Sequence, residues 1–250
     1  RRIELYAGFD DVPAEKNRAS FRELVRRRAS GMPVAYLVGH REFYSLSFRV
    51  TPDVLIPRPE TEFLVMAALD LAKGRPQDGE IAVCDVVTVS GNVAVAVAKH
   101  LPSARITAVD ASPAALEVAR ANAVEHGVES RIELIESDLL SAVPAERRFD
   151  FVLSNPPYVR EDEIESLPRD VRDYEPREAL VAGPLGTEVI QSLVPQAAER
   201  LNAGGHLLVE IGPALDDEIR SLLEADGRFE RGATVKDLAR LPRVVQAKRL

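Results

Sequence analysis

Hydrophobic and polar positions change their spacing several times along the chain, and each change marks an element. From residue 79 onward, short apolar runs alternate with stretches of helical spacing. Ile81–Val87, Arg105–Asp110, Arg131–Ile135, Phe149–Ser154 and His206–Ile211 read as strands, with helices near 92–100, 113–126, 187–202 and 214–225. Strands separated by helices imply right-handed crossovers and a mostly parallel sheet covered on both faces. Phe229 to Leu250 can add a last pair of strands. The expected fold class is α/β, with a ligand crevice at the carboxyl ends of the strands.

The first third of the chain reads differently. Phe21, Leu24 and Val25 at helical spacing predict a short amphipathic helix over 17–30, and its basic run Arg26-Arg27-Arg28 is either a solvated face or a partner contact. From Val34 to Val54, β-branched and aromatic residues predict a hairpin or a short pair of strands. Pro57 and Pro59 are too close together to lie inside one helix, but Pro59 can occupy a first turn, so a helix is expected from about Pro59 to Lys73. Gly74 to Gly79 reads as the loop into the main domain. The expected division is 1–33 as a small helical part, 34–75 as hairpin and linker helix, and 76–250 as the main domain.

Charge sharpens this division. The chain has 250 residues and a formal charge of −8, but residues 1–60 hold 11 Lys and Arg against 8 Asp and Glu, leaving 21 against 32 for the rest. A basic appendage on an acidic domain lacks the strongly basic face that a nucleic-acid binder uses to neutralise phosphates, so a protein or small-molecule substrate is favoured. Cys84 is the only cysteine, which excludes an internal disulfide and a metal site built from cysteines, and fits a reducing cytoplasm. No apolar run reaches membrane-spanning length, and the first five residues lack the apolar core of a signal peptide. The chain does not begin with Met, and its natural start is expected upstream.

The segment richest in chemistry is Phe149–Tyr158, an apolar strand that runs into Asn155-Pro156-Pro157-Tyr158. Two prolines fix the backbone just past the strand's carboxyl end. The Asn155 side-chain carbonyl and the Pro156 peptide carbonyl can then accept both N–H bonds of one NH2 group. An amide or aryl amine is a poor nucleophile because its lone pair is delocalised. Two acceptors favour pyramidalisation and aim that lone pair at an incoming methyl group, while Tyr158 can pack on the planar substrate. An ordinary Asn-Pro turn is the alternative. Asp110 ends the second strand, where a carboxylate can accept both ribose hydroxyls of a nucleoside. Asp138 follows the third and can accept from an adenine amine, with Leu139 packing on the base. Each can equally serve as a helix cap or a solvated loop residue. His40, His100, His126 and His206 are scattered and form no cluster with a nucleophile or metal-ligand pattern.

Asp85…Gly91, Asp110, Asp138 and Asn155–Tyr158 occur in the order found in class I methyltransferases. Ile56–Glu62 and Asp173–Leu180 resemble the release-factor glutamine methyltransferases in particular, and the likeness runs from about Val34 to Gly212. The resemblance implies a Rossmann-like, seven-stranded, mostly parallel sheet with a small N-terminal helical part and a hairpin, and S-adenosylmethionine as cofactor. It also implies a substrate that belongs to translation termination, the glutamine of a Gly-Gly-Gln loop in a bacterial or organellar class 1 peptide chain release factor, methylated on its side-chain nitrogen. Residues 1–33 resemble the remnant of a longer substrate-binding domain. Cofactor contacts implied are Asp85, Val87, Thr88, Val89, Ser90, Gly91, Asp110, Asp138, Leu139 and Asn155; catalytic contacts are Asn155, Pro156, Pro157 and Tyr158.

One departure stands out. Where the family reads Asp-Leu-Gly-Thr-Gly-Ser-Gly, this chain reads Asp85-Val86-Val87-Thr88-Val89-Ser90-Gly91. Valines at glycine positions should strain the turn or fill space meant for the methionine part of the cofactor. They also leave no Gly-x-Gly-x-x-Gly for a nicotinamide dinucleotide. Two other readings stay open, the second of them resting on Val87 and Val89 alone. An adenine-N6 methyltransferase on DNA or RNA would use the same Asn-Pro-Pro-Tyr on an extruded base, and a non-catalytic protein could keep the fold and bind a release factor.

Overall fold

The apolar runs of the second half pair with one another in parallel, as buried β-branched segments do when helices cover both faces. The computed structural model describes residues 2–9, 11–74 and 79–250. In chain order, α1 (Arg2–Ala7), α2 (Glu15–Ala29) and α3 (Val34–Val38) precede a hairpin of β1 (His40–Phe43) and β2 (Leu46–Arg49). A 3₁₀ turn at Pro59–Thr61 leads into α4 (Glu62–Ala72). There follow β3 (Ile81–Val86), α5 (Asn92–His100), β4 (Ala104–Asp110), α6 (Pro113–Glu125), β5 (Ile132–Glu136) and β6 (Phe149–Ser154). The last part comprises β7 (Val159–Arg160), α7 (Arg169–Tyr174), β8 (Val181–Gly183), α8 (Glu188–Arg200), β9 (Leu201–Glu210), α9 (Asp216–Asp226), β10 (Phe229–Arg231), β11 (Val235–Lys236) and β12 (Pro242–Arg249).

Among the described residues the main sheet runs β10-β12-β9-β6-β3-β4-β5, with β11 added against β12. β5, β4, β3, β6 and β9 are parallel, whereas β12 is antiparallel to β9 and β10 to β12. The expected α/β class and mostly parallel seven-strand path are therefore present, and β11 is an addition. The chain winds from β3 toward β5, then returns to the other side of β3 with β6. This reversal places a crevice at the carboxyl ends of β3, β4 and β6.

Two layers of core sandwich the sheet. One packs α4 and α5 with Phe43 and Phe48 of the hairpin, so the hairpin and α4 share the core of the sheet. The other packs α8 and α9 against Phe149, Val152 and Leu207. A third, smaller cluster joins Ala35, Tyr36, Val50, Val54 and Ile56 to Val89, Ala115 and Val118, and it lies under the crevice.

That third cluster explains the main error in the sequence reading. Val34–Val38 form a helix, and the hairpin starts only at His40. Pro33 precedes the helix with φ −55°, and Gly39 ends it in the left-handed region at φ 79°. Within it Ala35 and Tyr36 are buried, and the Tyr36 hydroxyl donates to Val54 O at 2.6 Å. Tertiary packing overrides the strand preference of Val and Tyr. The amphipathic helix expected over 17–30 is α2, but none of its residues is buried, and Phe21 and Val25 face solvent. Of the loop expected at 74–79, residues 75–78 lie outside the described residues. The strand expected at His206–Ile211 begins five residues earlier, at Leu201, directly after α8.

Candidate active site

The loop from Val87 to Gly91 joins the carboxyl end of β3 to α5, and its valines adopt the backbone of glycines. Val87 has φ 62° and Val89 φ 53°, in the left-handed region that a β-branched residue enters only under constraint. The constraint is a set of hydrogen bonds. Thr88 N–H donates to Val109 O at 2.9 Å and Gly91 N–H to Thr88 O at 2.8 Å, while Val89 N–H donates to Asp110 Oδ2 at 2.8 Å. From below, Asp85 Oδ2 accepts the Thr88 hydroxyl at 2.6 Å and Ala94 N–H at 3.1 Å.

These bonds sort the residues expected on the cofactor. Val87, Val89, Asp110, Asp138 and Leu139 line one cavity of about 380 Å³. Asp85, Ser90 and Gly91 are not among its lining residues. Asp85 is 1% exposed, beneath the loop, where burial pushes its pKa to about 7. Ser90 is fully buried; its hydroxyl donates to Asn92 Oδ1 and its carbonyl accepts from Asn122. Gly91 has φ 75°, and a Cβ there would come within 3.0 Å of Ala119, so this glycine lets α5 start against α6. Thr88 borders only a void of about 10 Å³ that it shares with Asn155. These four support the loop, because their polar atoms are consumed within it or their space is closed by α6.

Asp110 keeps capacity for a ligand. Oδ1 accepts Ser112 N–H at 2.9 Å and Oδ2 accepts Val89 N–H, which leaves a lone pair on each oxygen. Its pKa is raised, first by burial and further by Glu178. Glu178 and Asp53 line the same cavity, so four carboxylates border it, two of which the sequence reading missed.

A second cavity of about 250 Å³ adjoins the first and is lined by Asn155, Pro156, Pro157 and Tyr158 together with Leu55, Arg58 and Val171. Pro157 and Ala179 line both cavities and form the wall between them. Asn155 lies on this second side and not in the first cavity. Its Nδ2 donates to Thr61 Oγ1 at 3.1 Å, which commits the NH2 end of the amide and leaves the carbonyl oxygen as an acceptor. The Tyr158 ring packs on Gly212, and burial pushes its phenol to about 12. Opposite, Arg58 Nη2 reaches Glu175 Oε1 at 2.6 Å, while Glu175 Oε2 accepts Ile56 N–H at 3.0 Å. Burial raises the Glu175 carboxyl even beside this guanidinium.

Residues 64–168 match the Methyltransferase small domain, and residues 1–39 match the PrmC N-terminal domain. The release factor glutamine methyltransferase of Rhodopirellula baltica is 47% identical over 98% of this chain and 83% of its own length. That of Geobacter sulfurreducens is 40% identical over 98% and 83%. The chain belongs to the release factor glutamine methyltransferase family. Among solved structures, a 16S rRNA N2 G1207 methyltransferase of T. thermophilus has a TM-score of 0.61 at 20% identity, covering 84% of this chain and 50% of that one. A methyltransferase from Pyrococcus furiosus has 0.58 at 17%, covering 94% and 98%. These two likenesses carry the class I methyltransferase fold and nothing finer.

Membership in the release factor glutamine methyltransferase family makes S-adenosylmethionine the cofactor, and the first cavity fits it. A cavity of about 380 Å³ is within the range of small-molecule sites, and four carboxylates suit a ligand with a sulfonium and an ammonium group. Among the described residues no helix is long and apolar enough to cross a membrane, and no group of three or more His, Cys, Asp or Glu could hold a metal ion.

Proposed function

We propose that the protein transfers a methyl group from S-adenosylmethionine to the side-chain amide nitrogen of the glutamine in the Gly-Gly-Gln loop of class 1 peptide chain release factors, in the cytoplasm. The observation that carries this is the shared wall of Pro157 and Ala179, which sets an acidic cavity beside one lined by Asn155 and Tyr158. Names of relatives over nearly the whole chain supply the substrate.

Asp110 would hold the ribose hydroxyls, Asp138 and Leu139 the adenine, and Val87 and Val89 would border the methionine part. The cofactor supplies an electrophilic methyl on a sulfonium. Asn155 Oδ1 and the Pro156 carbonyl accept the two N–H bonds of the substrate amide and hold its nitrogen toward the wall. Tyr158 packs on the amide plane. Most of the acceleration comes from positioning and exclusion of water, and no strong base is needed because an N-alkylated amide cation loses its proton readily. Residues 1–33 are assigned to substrate binding, a reading supported by the exposed Phe21 and Val25 of α2. Nucleic acid is not assigned as a substrate, in keeping with the excess of acidic residues.

The left-handed φ of Val87 and Val89 argues against a collapsed, non-catalytic loop. A release factor with an intact Gly-Gly-Gln loop should accept label from methyl-labelled cofactor, and its Gln→Ala variant should not. Preferential labelling of an adenine-containing oligonucleotide would replace this reading with the nucleic-acid one.

A further inference from the structure

Of the crossovers between parallel strands of the main sheet, the one from β5 to β6 has no helix. α5 follows β3, α6 follows β4 and α8 precedes β9, whereas residues 137–148 form turns and bends. Leu139, Leu140 and Val143 of this segment reach the face of the sheet that α8 and α9 cover. They leave the amino ends of β3, β4 and β5 open on that face, around a cavity of about 390 Å³ at the opposite end of the strands from the first cavity. Cys84, Val109 and Ile135 belong to the covered core, so the strand alternation turns Ala82, Thr107 and Glu133, two residues earlier, toward the opening.

Four arginines, Arg105, Arg131, Arg147 and Arg148, line this cleft with a single carboxylate, that of Glu133. The first cavity is the reverse, with four carboxylates and no Lys or Arg. The charge of the arginines is only partly offset. Arg147 pairs with Glu133, and Arg105 Nε with Glu80 Oε1 at 2.7 Å. Arg131 donates to the carbonyls of Leu101 and Pro102, and Arg148 to those of Ala145 and Arg147. All of these bonds from Arg131, Arg147 and Arg148 leave from Nη1, so Nε and Nη2 of each keep their N–H groups to donate. Thr107 adds a donor in the wall. It is 5% exposed, and its Oγ1 accepts Arg147 Nη1 at 3.1 Å, but among the described residues no acceptor takes its proton. A buried hydroxyl half satisfied in this way calls for a partner.

We propose that this cleft is a binding site for a phosphorylated small molecule, whose phosphate oxygens accept from Nε and Nη2 of Arg131, Arg147 and Arg148 and from the Thr107 hydroxyl. A phosphate group only accepts, and a planar guanidinium meets its oxygens in pairs. Glu133, bound to Arg147, holds that guanidinium over the sheet. The cleft is concave and of the size of a small-molecule site. A nucleic-acid backbone would need a longer basic stripe to neutralise several phosphates, and here the exposed Glu80, Glu129 and Glu146 interrupt one. The site is independent of the methyl-transfer reading, since it shares no lining residue with either of the cavities assigned to that reaction.

Tripolyphosphate, which has no adenine to enter the first cavity, is the probe. It is titrated calorimetrically at constant ionic strength into wild type, Arg148→Glu, Thr107→Val and Thr107→Ser, with and without saturating S-adenosylhomocysteine, and the melting temperature of each variant is measured alongside. Wild type should bind at one site, more tightly than about 1 mM, with the same affinity whether or not S-adenosylhomocysteine is present. Arg148→Glu, at an exposed position, should weaken binding at least ten-fold, and Thr107→Val about ten-fold, the scale of a lost hydrogen bond to a charged group. Thr107→Ser, which keeps the hydroxyl, should stay within about three-fold of wild type. If Thr107→Val does not fold, Arg148→Glu decides. Absence of saturable binding to wild type, or an affinity indifferent to Arg148→Glu, would overturn the site. Displacement by S-adenosylhomocysteine would overturn it too, by placing the anion in the first cavity. A single-stranded RNA that binds wild type more tightly than tripolyphosphate does, and loses that affinity in Arg148→Glu, would replace the small molecule with nucleic acid.

Discussion

Arg58 and Glu175 are 117 residues apart in sequence, yet Arg58 Nη2 lies 2.6 Å from Glu175 Oε1, and this pair ties the two stretches that mark the family together beside the second cavity, which Arg58 lines. Glu175 is 1% exposed at its side chain and Arg58 29%, so the carboxylate has little other solvation. Removing one partner of a buried pair strands the other. Arg58→Ala should therefore cost about 3 kcal/mol of stability and reduce kcat/KM on the release factor more than it reduces cofactor affinity. Urea denaturation and steady-state kinetics check this; an unchanged urea midpoint would show that the clamp is ornamental.

The wall of Pro157 and Ala179 separates two kinds of loss. Asn155→Ala should abolish methyl transfer while leaving S-adenosylmethionine affinity nearly unchanged, since Asn155 lines the second cavity. Asp138→Ala should do the converse. Asp138 is exposed and lines only the first cavity, so the variant should bind cofactor about ten-fold more weakly, the equivalent of one charge-assisted hydrogen bond, with its melting temperature unmoved. Calorimetric titration of both variants distinguishes the two outcomes. A large cofactor defect in Asn155→Ala would place that residue on the wrong side of the wall.

Much of this architecture could be read from local pattern, and what could not shares one cause. The parallel strands and their helices show as apolar runs and helical spacing, and Asn155–Tyr158 announces itself because two prolines follow a strand. That Asp110 and Asp138 line the first cavity was legible, because one ends and the other follows a strand whose carboxyl end borders the crevice. Thr61 and Glu175 were not, since their places depend on partners distant in sequence: Thr61 meets Asn155 across 94 residues, and Glu175 meets Arg58 across 117. The two flanking motifs were visible only as resemblances, and the Arg58–Glu175 bond gives them a mechanical sense. Val34–Val38 was misread for a related reason, because the third cluster that makes it a helix is assembled from five separate segments of the chain. Asp85 carried the family motif, but a single sequence does not say whether a carboxylate faces a ligand or holds up the loop that does.

Asp85 leads to a pH prediction. Burial raises its pKa from 3.8 to about 7 against the opposing pull of Thr88 and Ala94. A group bound more tightly to its proton in the folded state stabilises the fold fully below its unfolded pKa, and this contribution is lost as pH rises through the folded value. Glu210 acts in the same sense, from 4.5 to about 7. Stability should therefore decline between about pH 5 and pH 8. Asp85→Asn, which still accepts from Thr88 and Ala94 but cannot ionise, should show a shallower decline and match or exceed wild type at pH 8. Denaturation midpoints at the two pH values decide; a slope as steep as that of wild type would mean that Asp85 is already ionised throughout.

Val87 and Val89 hold the same unusual backbone, but reversion to glycine should have different consequences at the two positions. A residue held in a sparsely populated region costs about 1–3 kcal/mol, and glycine relieves this at an entropic cost of about 0.5–1 kcal/mol. Val87 is partly exposed at the cavity and packs only at the edges of two core clusters, so less packing offsets the relief than at Val89, and Val87→Gly should raise stability by up to about 1 kcal/mol. Val89 is 9% exposed and packs with Ala115 and Val118. Its removal forfeits about 1.5–3 kcal/mol of burial, enough to cancel the relief, so Val89→Gly should be neutral or destabilising. Both side chains border the first cavity, where the cofactor is proposed to bind, and S-adenosylmethionine should bind the double variant more tightly than wild type, by roughly ten-fold if one strained contact is released. Guanidinium midpoints for each single variant and a titration of the double variant test the set together. If Val87→Gly proved less stable than wild type, the left-handed valine would be supported by its surroundings rather than strained against them, and the hydrogen bonds from Thr88 and Val89 to the end of β4 would be sufficient to account for the loop.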